Sequence, residues 1–103
     1  MTYFATAGRT DVGGGPPRAY ACGVASINVG RDDPYRRKIT FTNDSDTIIY
    51  LAKSDQAVLN AGIRLNANGG SLIDEPDTKG YIYTGIWSAI TSLANKNLCV
   101  QEN

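Results

Sequence analysis

Short segments of alternating polarity, separated by turn-forming residues about every ten positions, constrain the fold of this chain most strongly. Ile39 and Phe41, for example, alternate with two threonines in a run that predicts a strand with one buried face. Asn, Asp and Gly cluster at residues 43–46 and 66–70, where local hydrogen bonds and left-handed conformations favour turns. No window of helical length carries an apolar stripe with a period of 3.6 residues. The chain therefore predicts an all-β fold, either a small antiparallel β-sandwich or a jelly-roll-like barrel.

The individual strands follow from runs of β-branched and aromatic residues. We expect strands over residues 19–29, 38–42, 47–52, 62–65, 71–73, 81–91 and 98–102. Segment 81–91 gives the strongest signal, because apolar side chains occur on both of its faces, as in a strand covered on both sides. Residues 54–62 fit either a single helical turn or a loop.

The first third of the chain differs from the rest, because glycines and prolines interrupt it, including three consecutive glycines followed by two prolines. The same stretch carries Tyr3, Phe4 and Tyr20, which a flexible linker would not need. We therefore predict an extended N-terminal arm over residues 1–35 that docks its aromatic side chains on another surface. Residues 36–103 are expected to form the β-sandwich domain.

The formal net charge is zero, but the charged residues are unevenly distributed. Residues 1–43 carry six basic and three acidic side chains, whereas residues 44–103 carry four basic and seven acidic side chains. Segments of opposite sign can attract each other or complementary neighbours, which suits assembly with copies of the chain or with a lattice. The absence of a basic excess argues against a nucleic-acid-binding protein.

The chain has no histidine, which excludes several kinds of catalytic and metal site. Ser-His-Asp and Cys-His units, histidine-ligated metals and proton transfer by imidazole all require that residue. The acidic stretch 74–77 lacks the spacing of a calcium-binding loop. The glycines at 13–15 lack the strand, helix and lysine of a phosphate-binding loop. We therefore expect no enzymatic activity, no metal and no cofactor.

The two cysteines and the hydropathy pattern indicate the cellular compartment in which the protein is expected. Cys22 and Cys99 do not form a C-x-x-C motif. No apolar run has the length of a signal-peptide core or of a membrane span. We expect a soluble protein that is made in the cytoplasm and does not bind membranes, with two reduced thiols rather than a disulfide.

The order of short motifs after residue 36 resembles that of small structural proteins of tailed-bacteriophage virions. The motifs are RKITFTN at 37–43, DTIIYL at 46–51, GIRL at 62–65, GSL at 70–72, YTGIWSAI at 83–90 and LCVQE at 98–102. The resemblance covers residues 36–102, and YTGIWSAI is its most specific part. It implies a virion protein whose β-sandwich decorates or cements the capsid, and it brings no catalytic residues with it.

Under this resemblance we expect an oligomeric capsid decoration or cement protein whose partners are the major capsid protein, other virion proteins and copies of itself. The candidate interface residues are Tyr3, Phe4, Arg9, Arg18, Tyr20, Arg36 and Arg37. Arg36 and Arg37 also allow another interpretation. They begin a basic run, and basic side chains at the start of an edge strand discourage wrong strand pairing. Two other functions stay open: a tail or head–tail connector component, and a receptor- or carbohydrate-binding module. The second of these would use Tyr50, Tyr81, Tyr83 and Trp87.

Overall fold

The structure, a computed structural model, describes residues 16–102, and these form two four-stranded antiparallel sheets. The strands are β1 (Arg18–Cys22), β2 (Ile27–Gly30), β3 (Ile39–Asn43), β4 (Ile49–Ala52), β5 (Ile63–Leu65), β6 (Ser71–Asp74), β7 (Trp87–Thr91) and β8 (Lys96–Glu102). Within these residues there is no helix that is long and apolar enough to cross a membrane. The predicted all-β sandwich is confirmed.

The strand pairing follows a simple nested order. β1 pairs with β8, β2 with β7, β3 with β6, and β4 with β5. The chain thus resembles one long hairpin of strand pairs, rolled so that alternate pairs lie in opposite sheets. Rolling adds the pairs β3–β8 and β4–β7, which gives a first sheet β1-β8-β3-β6 and a second sheet β2-β7-β4-β5. This is the strand order of an eight-stranded jelly roll, an architecture used by viral capsid and lectin domains.

The core lies between the two sheets and is formed by every second side chain of the strands. In β3, Ile39 and Phe41 are fully buried, whereas the two threonines that alternate with them are half-buried. Trp87 of β7 is also fully buried, and its ring centroid lies 4.8 Å from that of Phe41. Burying a large apolar side chain contributes about 1.5–3 kcal/mol. The burial pattern of β3 confirms the alternation predicted for residues 38–42.

The sandwich begins earlier than the predicted arm boundary at residue 35. Residues 18–22 and 27–30 form β1 and β2, which pair with β8 and β7, so this part of the predicted arm belongs to the two sheets. The single strand expected over residues 19–29 is likewise two strands, because the chain passes from the first sheet to the second between them. Residues 1–15 of the predicted arm lie outside the described residues.

The strand expected over residues 81–91 is shorter than predicted, since only its second half forms β7. In the first half, the carbonyl oxygens of Tyr83 and Gly85 accept hydrogen bonds from Nη1 of Arg36, at 3.1 and 2.9 Å. The carbonyl oxygens of Thr84 and Tyr81 accept hydrogen bonds from the backbone amides of Asp33 and Asp77. Loop segments and the Arg36 side chain therefore satisfy this backbone, and the apolar pattern does not lead to sheet pairing.

Residues 53–62 form a loop that is bonded to the connection between β1 and β2. The amide of Ala57 donates to Oγ of Ser26, at 2.8 Å, and Ala57 itself is buried. Ser88 alternates with the inward-facing residues of β7 and therefore belongs to the outer face, yet it is fully buried. We infer that this loop shields the outer face of the second sheet.

Candidate functional site

The chain enters the sandwich at Arg18, beside the end of the last strand. The guanidinium of Arg18 forms an ion pair with one carboxylate oxygen of Glu102, and Nε of Arg36 lies 3.0 Å from the other oxygen. Arg36 is only 3% exposed, and its remaining nitrogens donate to three backbone carbonyl oxygens. We call Arg18, Arg36 and Glu102 the anchor cluster. It connects the start of β1 with the end of β8 and with the loops that precede β3 and β7.

Opposing effects determine the protonation of Glu102. Burial raises the pKa of its carboxyl group, but the hydrogen bonds and positive charges of Arg18 and Arg36 outweigh that effect and hold the pKa below its ordinary value. The carboxylate is therefore ionised at neutral pH, and each of its oxygens has a charged donor. The anchor cluster fixes the start of β1, the strand that follows the N-terminal segment, residues 1–17, along the chain.

The outward-facing side chains of the first sheet carry no formal charge. They are Ala19, Ala21, Thr40, Thr42, Ser71, Ile73, Asn97, Cys99 and Gln101, and we call them the uncharged face. The strand register aligns Ala19, Cys99, Thr42 and Ser71 in one row across all four strands. Small side chains lose little conformational entropy when a partner covers them, and the cores of protein interfaces are depleted of charge. This composition suits a surface that another protein covers.

The predicted interface residues occupy different environments. Three of them lie outside the described part of the chain: Tyr3, Phe4 and Arg9. Arg18 belongs to the anchor cluster, with its guanidinium carbon 6.0 Å from the ring centroid of Tyr20, and Tyr20 packs partly against the core. Arg37 is exposed, but Arg36 is buried. The prediction that Arg36 contacts a partner is therefore not supported, because every nitrogen of its guanidinium already serves the fold.

The structure adds two features that were not predicted from the sequence: the role of Glu102 and the uncharged face. Glu102 is one of seven acidic residues after position 43, and nothing near it in the sequence indicates two arginine partners. Uncharged residues at alternate positions of each strand are visible in the sequence. Only the pairing of strands shows that these positions share one surface.

The aromatic residues considered for carbohydrate binding do not form one surface. Trp87 is fully buried, and the half-buried Tyr83 packs edge-on against it, with ring centroids 5.8 Å apart. Tyr81 is 72% exposed on the loop before β7, whereas Tyr50 lies on β4 in the second sheet. These four residues therefore do not come together as one sugar-binding surface, and two of them, Tyr83 and Trp87, pack in or against the core.

The last carboxylate of the acidic stretch 74–77 bonds the backbone of the turn that follows it. Oδ1 of Asp77 accepts hydrogen bonds from the amides of Lys79 and Tyr81, at 2.8 and 3.0 Å. Across residues 16–102, no three His, Cys, Asp or Glu side chains are grouped so that they could hold a metal ion.

Both cysteines are free, as the sequence predicted. Burial raises the pKa of the Cys22 thiol to about 11, so this thiol stays protonated at neutral pH. Cys99 is half-buried in the uncharged face. The two side chains alternate to opposite faces of the first sheet, because Cys22 points into the core.

Comparisons of the chain with protein-family models, with curated proteins and with solved structures find no match.

Proposed function

We propose that this protein is a structural component of a tailed-bacteriophage virion, a capsid decoration protein that binds across capsid subunits. The observation that carries the proposal is the uncharged face of a jelly roll, whose edge strand β1 is directly preceded by the N-terminal segment. The motif order that resembles small virion proteins supports the same role. Jelly rolls occur in viral capsid proteins, which adds support by fold-level analogy only.

In this proposal the uncharged face lies against the capsid shell. Its short side chains let a flat partner approach closely, and no ammonium or carboxylate group must be desolvated at its centre. The N-terminal segment precedes β1, the edge strand of the same sheet, and in this proposal it contacts a neighbouring capsid subunit. Each contact is modest, but repetition around a closed shell gives the assembly high avidity. The role is mechanical rather than catalytic, and the partners are the capsid protein and neighbouring copies.

The proposal is tested by adding purified protein to capsids that lack it and measuring co-sedimentation. Thr42→Lys places an ammonium group in the central row of the uncharged face, and we expect binding to weaken by at least about tenfold because that charge must be desolvated. Asn28→Lys, at an exposed position of β2 in the second sheet, is the matched control and should bind as the wild type does.

Circular dichroism and thermal unfolding show whether both variants remain folded. Equal binding by the wild type and a folded Thr42→Lys variant would show that the uncharged face does not contact the capsid. Failure of the wild type itself to bind capsids would overturn the proposed function as a whole.

A further inference from the structure

A pocket of about 420 Å³ lies on the second sheet and is lined by residues of neither the anchor cluster nor the uncharged face. Its lining comes from β4, from the loops on both sides of β4, and from the loops that follow β5 and β7. Its volume is within the range of about 300–1,000 Å³ that is typical of small-molecule sites. The proposed function makes no use of this pocket.

One part of the lining is apolar. Tyr50 alternates with the buried Ile49 and Leu51 on β4, so its half-buried ring belongs to the outer face of the sheet. Ile48 and the 38% exposed Leu59 lie beside it in the pocket lining. An aromatic ring next to aliphatic carbon atoms provides a surface for the C–H face of a flat, partly apolar ligand.

Part of the remaining lining offers hydrogen-bonding groups that have no partner among residues 16–102. Oδ1 of Asp46 is engaged by Nζ of Lys96, at 2.7 Å, but Oδ2 has no hydrogen bond to residues 16–102. Within the same described part of the chain, the side chains of Tyr50, Asn60 and Ser92 also form no hydrogen bond. The pocket therefore presents a carboxylate acceptor, an amide and two hydroxyl groups around an apolar surface.

We propose that this pocket binds one neutral pyranose ring of a carbohydrate. A sugar ring has an apolar face that stacks on an aromatic side chain and a rim of hydroxyl groups that both donate and accept hydrogen bonds, which matches the two parts of the lining. Phosphate and carboxylate ligands are disfavoured, because Asp46 is ionised and the contacting ammonium group of Lys96 is already paired with it. The pocket and the uncharged face lie on different sheets, so both can be occupied together.

The test uses the full-length, ¹⁵N-labelled protein and methyl glycosides of hexoses and of N-acetylhexosamines. We expect at least one of these sugars to cause saturable amide shifts at Tyr50, Asn60 and Ser92. Asn60→Gly should weaken that binding by about tenfold or more, since it removes the amide group. Glycine readily adopts the φ of 65° found at Asn60, so the variant does not strain the backbone.

Tyr50→Ala should abolish the shifts, whereas Tyr81→Ala removes an exposed tyrosine outside the pocket and should leave them unchanged. The absence of saturable shifts with every sugar would overturn the proposal. So would saturable shifts confined to another surface, or undiminished binding by both Asn60→Gly and a folded Tyr50→Ala variant. None of these outcomes bears on capsid binding, because the Thr42→Lys experiment tests a different sheet.

Discussion

Arg36 is the residue on which one end of the sandwich depends. Its guanidinium bonds Glu102 and three backbone carbonyl oxygens in a site from which water is almost excluded. Arg36→Met leaves those acceptors without a donor, and we expect a loss of about 3–5 kcal/mol in the free energy of unfolding. Such a loss is a large share of the roughly 5–15 kcal/mol that stabilises a domain.

Arg37→Met is the matched control for urea unfolding, because Arg37 is the adjacent residue and is exposed. We expect it to change stability by less than about 0.5 kcal/mol. Equal stability of the two variants would contradict the structural role assigned to Arg36.

Glu102 makes the stability of the fold depend on pH in a defined direction. Its folded-state pKa is lower than its unfolded-state pKa, so its contribution is complete above the ordinary glutamate pKa of about 4.3 and is lost as the pH falls through the folded-state value. We therefore expect Glu102→Gln to be less stable than the wild type at neutral pH. The difference should shrink as the pH falls from about 5 towards 2.

Urea unfolding of both proteins at several pH values measures this difference directly. The other carboxylates titrate in both proteins, so they largely cancel in the comparison. A difference in unfolding free energy that stays constant over the acid range would show that the pKa of Glu102 is not lowered by folding.

At the scale of elements, the connection between β4 and β5 depends on a glycine. Gly62 has a φ of 85°, and a Cβ at this position would lie 2.6 Å from the carbonyl oxygen of Leu51. Gly80 has nearly the same φ, 84°, but nothing within 4 Å of the equivalent Cβ. We expect Gly62→Ala to cost about 2–4 kcal/mol and Gly80→Ala about 1 kcal/mol, since both share the backbone strain and only the first adds a clash.

Thermal unfolding of the two glycine variants separates strain from clash. Equal losses would mean that the backbone around Gly62 relaxes at no cost or that Leu51 does not approach it as closely as described.

The elements also show what could be predicted from the sequence. β3 was predicted because its alternation of apolar residues and threonines is a local property of five consecutive residues. Residues 19–29 were predicted as one strand within an arm, because the local pattern does not show that β1 pairs with β8 and β2 with β7 in different sheets. The first half of segment 81–91 was assigned to a strand, since nothing nearby in the sequence indicates that Arg36 bonds its carbonyl groups.

For the molecule as a whole, the register of strand pairing was not predictable from the sequence. It joins residues that are far apart along the chain, such as Arg18 and Val100. The class of fold followed from turn spacing and alternation, but the nested order of pairs did not. Similarly, the anchor cluster joins Arg18, Arg36 and Glu102 across nearly the whole described chain. The cluster joins two arginines of the predominantly basic residues 1–43 with a glutamate of the predominantly acidic residues 44–103, so part of the charge asymmetry serves the fold itself.

Removing residues 1–15 tests how much the N-terminal segment contributes to capsid binding. Deletion of residues 1–15 keeps Arg18 and the anchor cluster, so we expect the truncated protein to unfold with nearly the wild-type midpoint. Under the proposed function it should occupy capsids less completely than the full chain, because contacts to the neighbouring subunit are lost. Co-sedimentation with capsids measures the occupancy. Full occupancy by the truncated protein would show that the segment plays no part in binding.

The decisive test of the proposed function is a reconstruction of purified phage particles in which this chain is sought. Under the proposed function, density for the jelly roll is expected at many sites on the capsid shell, with the β1-β8-β3-β6 sheet facing the shell and the β2-β7-β4-β5 sheet facing outwards. Density for a few copies at the connector or the tail would contradict the decoration role. Absence of the chain from purified particles would contradict a structural role in the virion altogether.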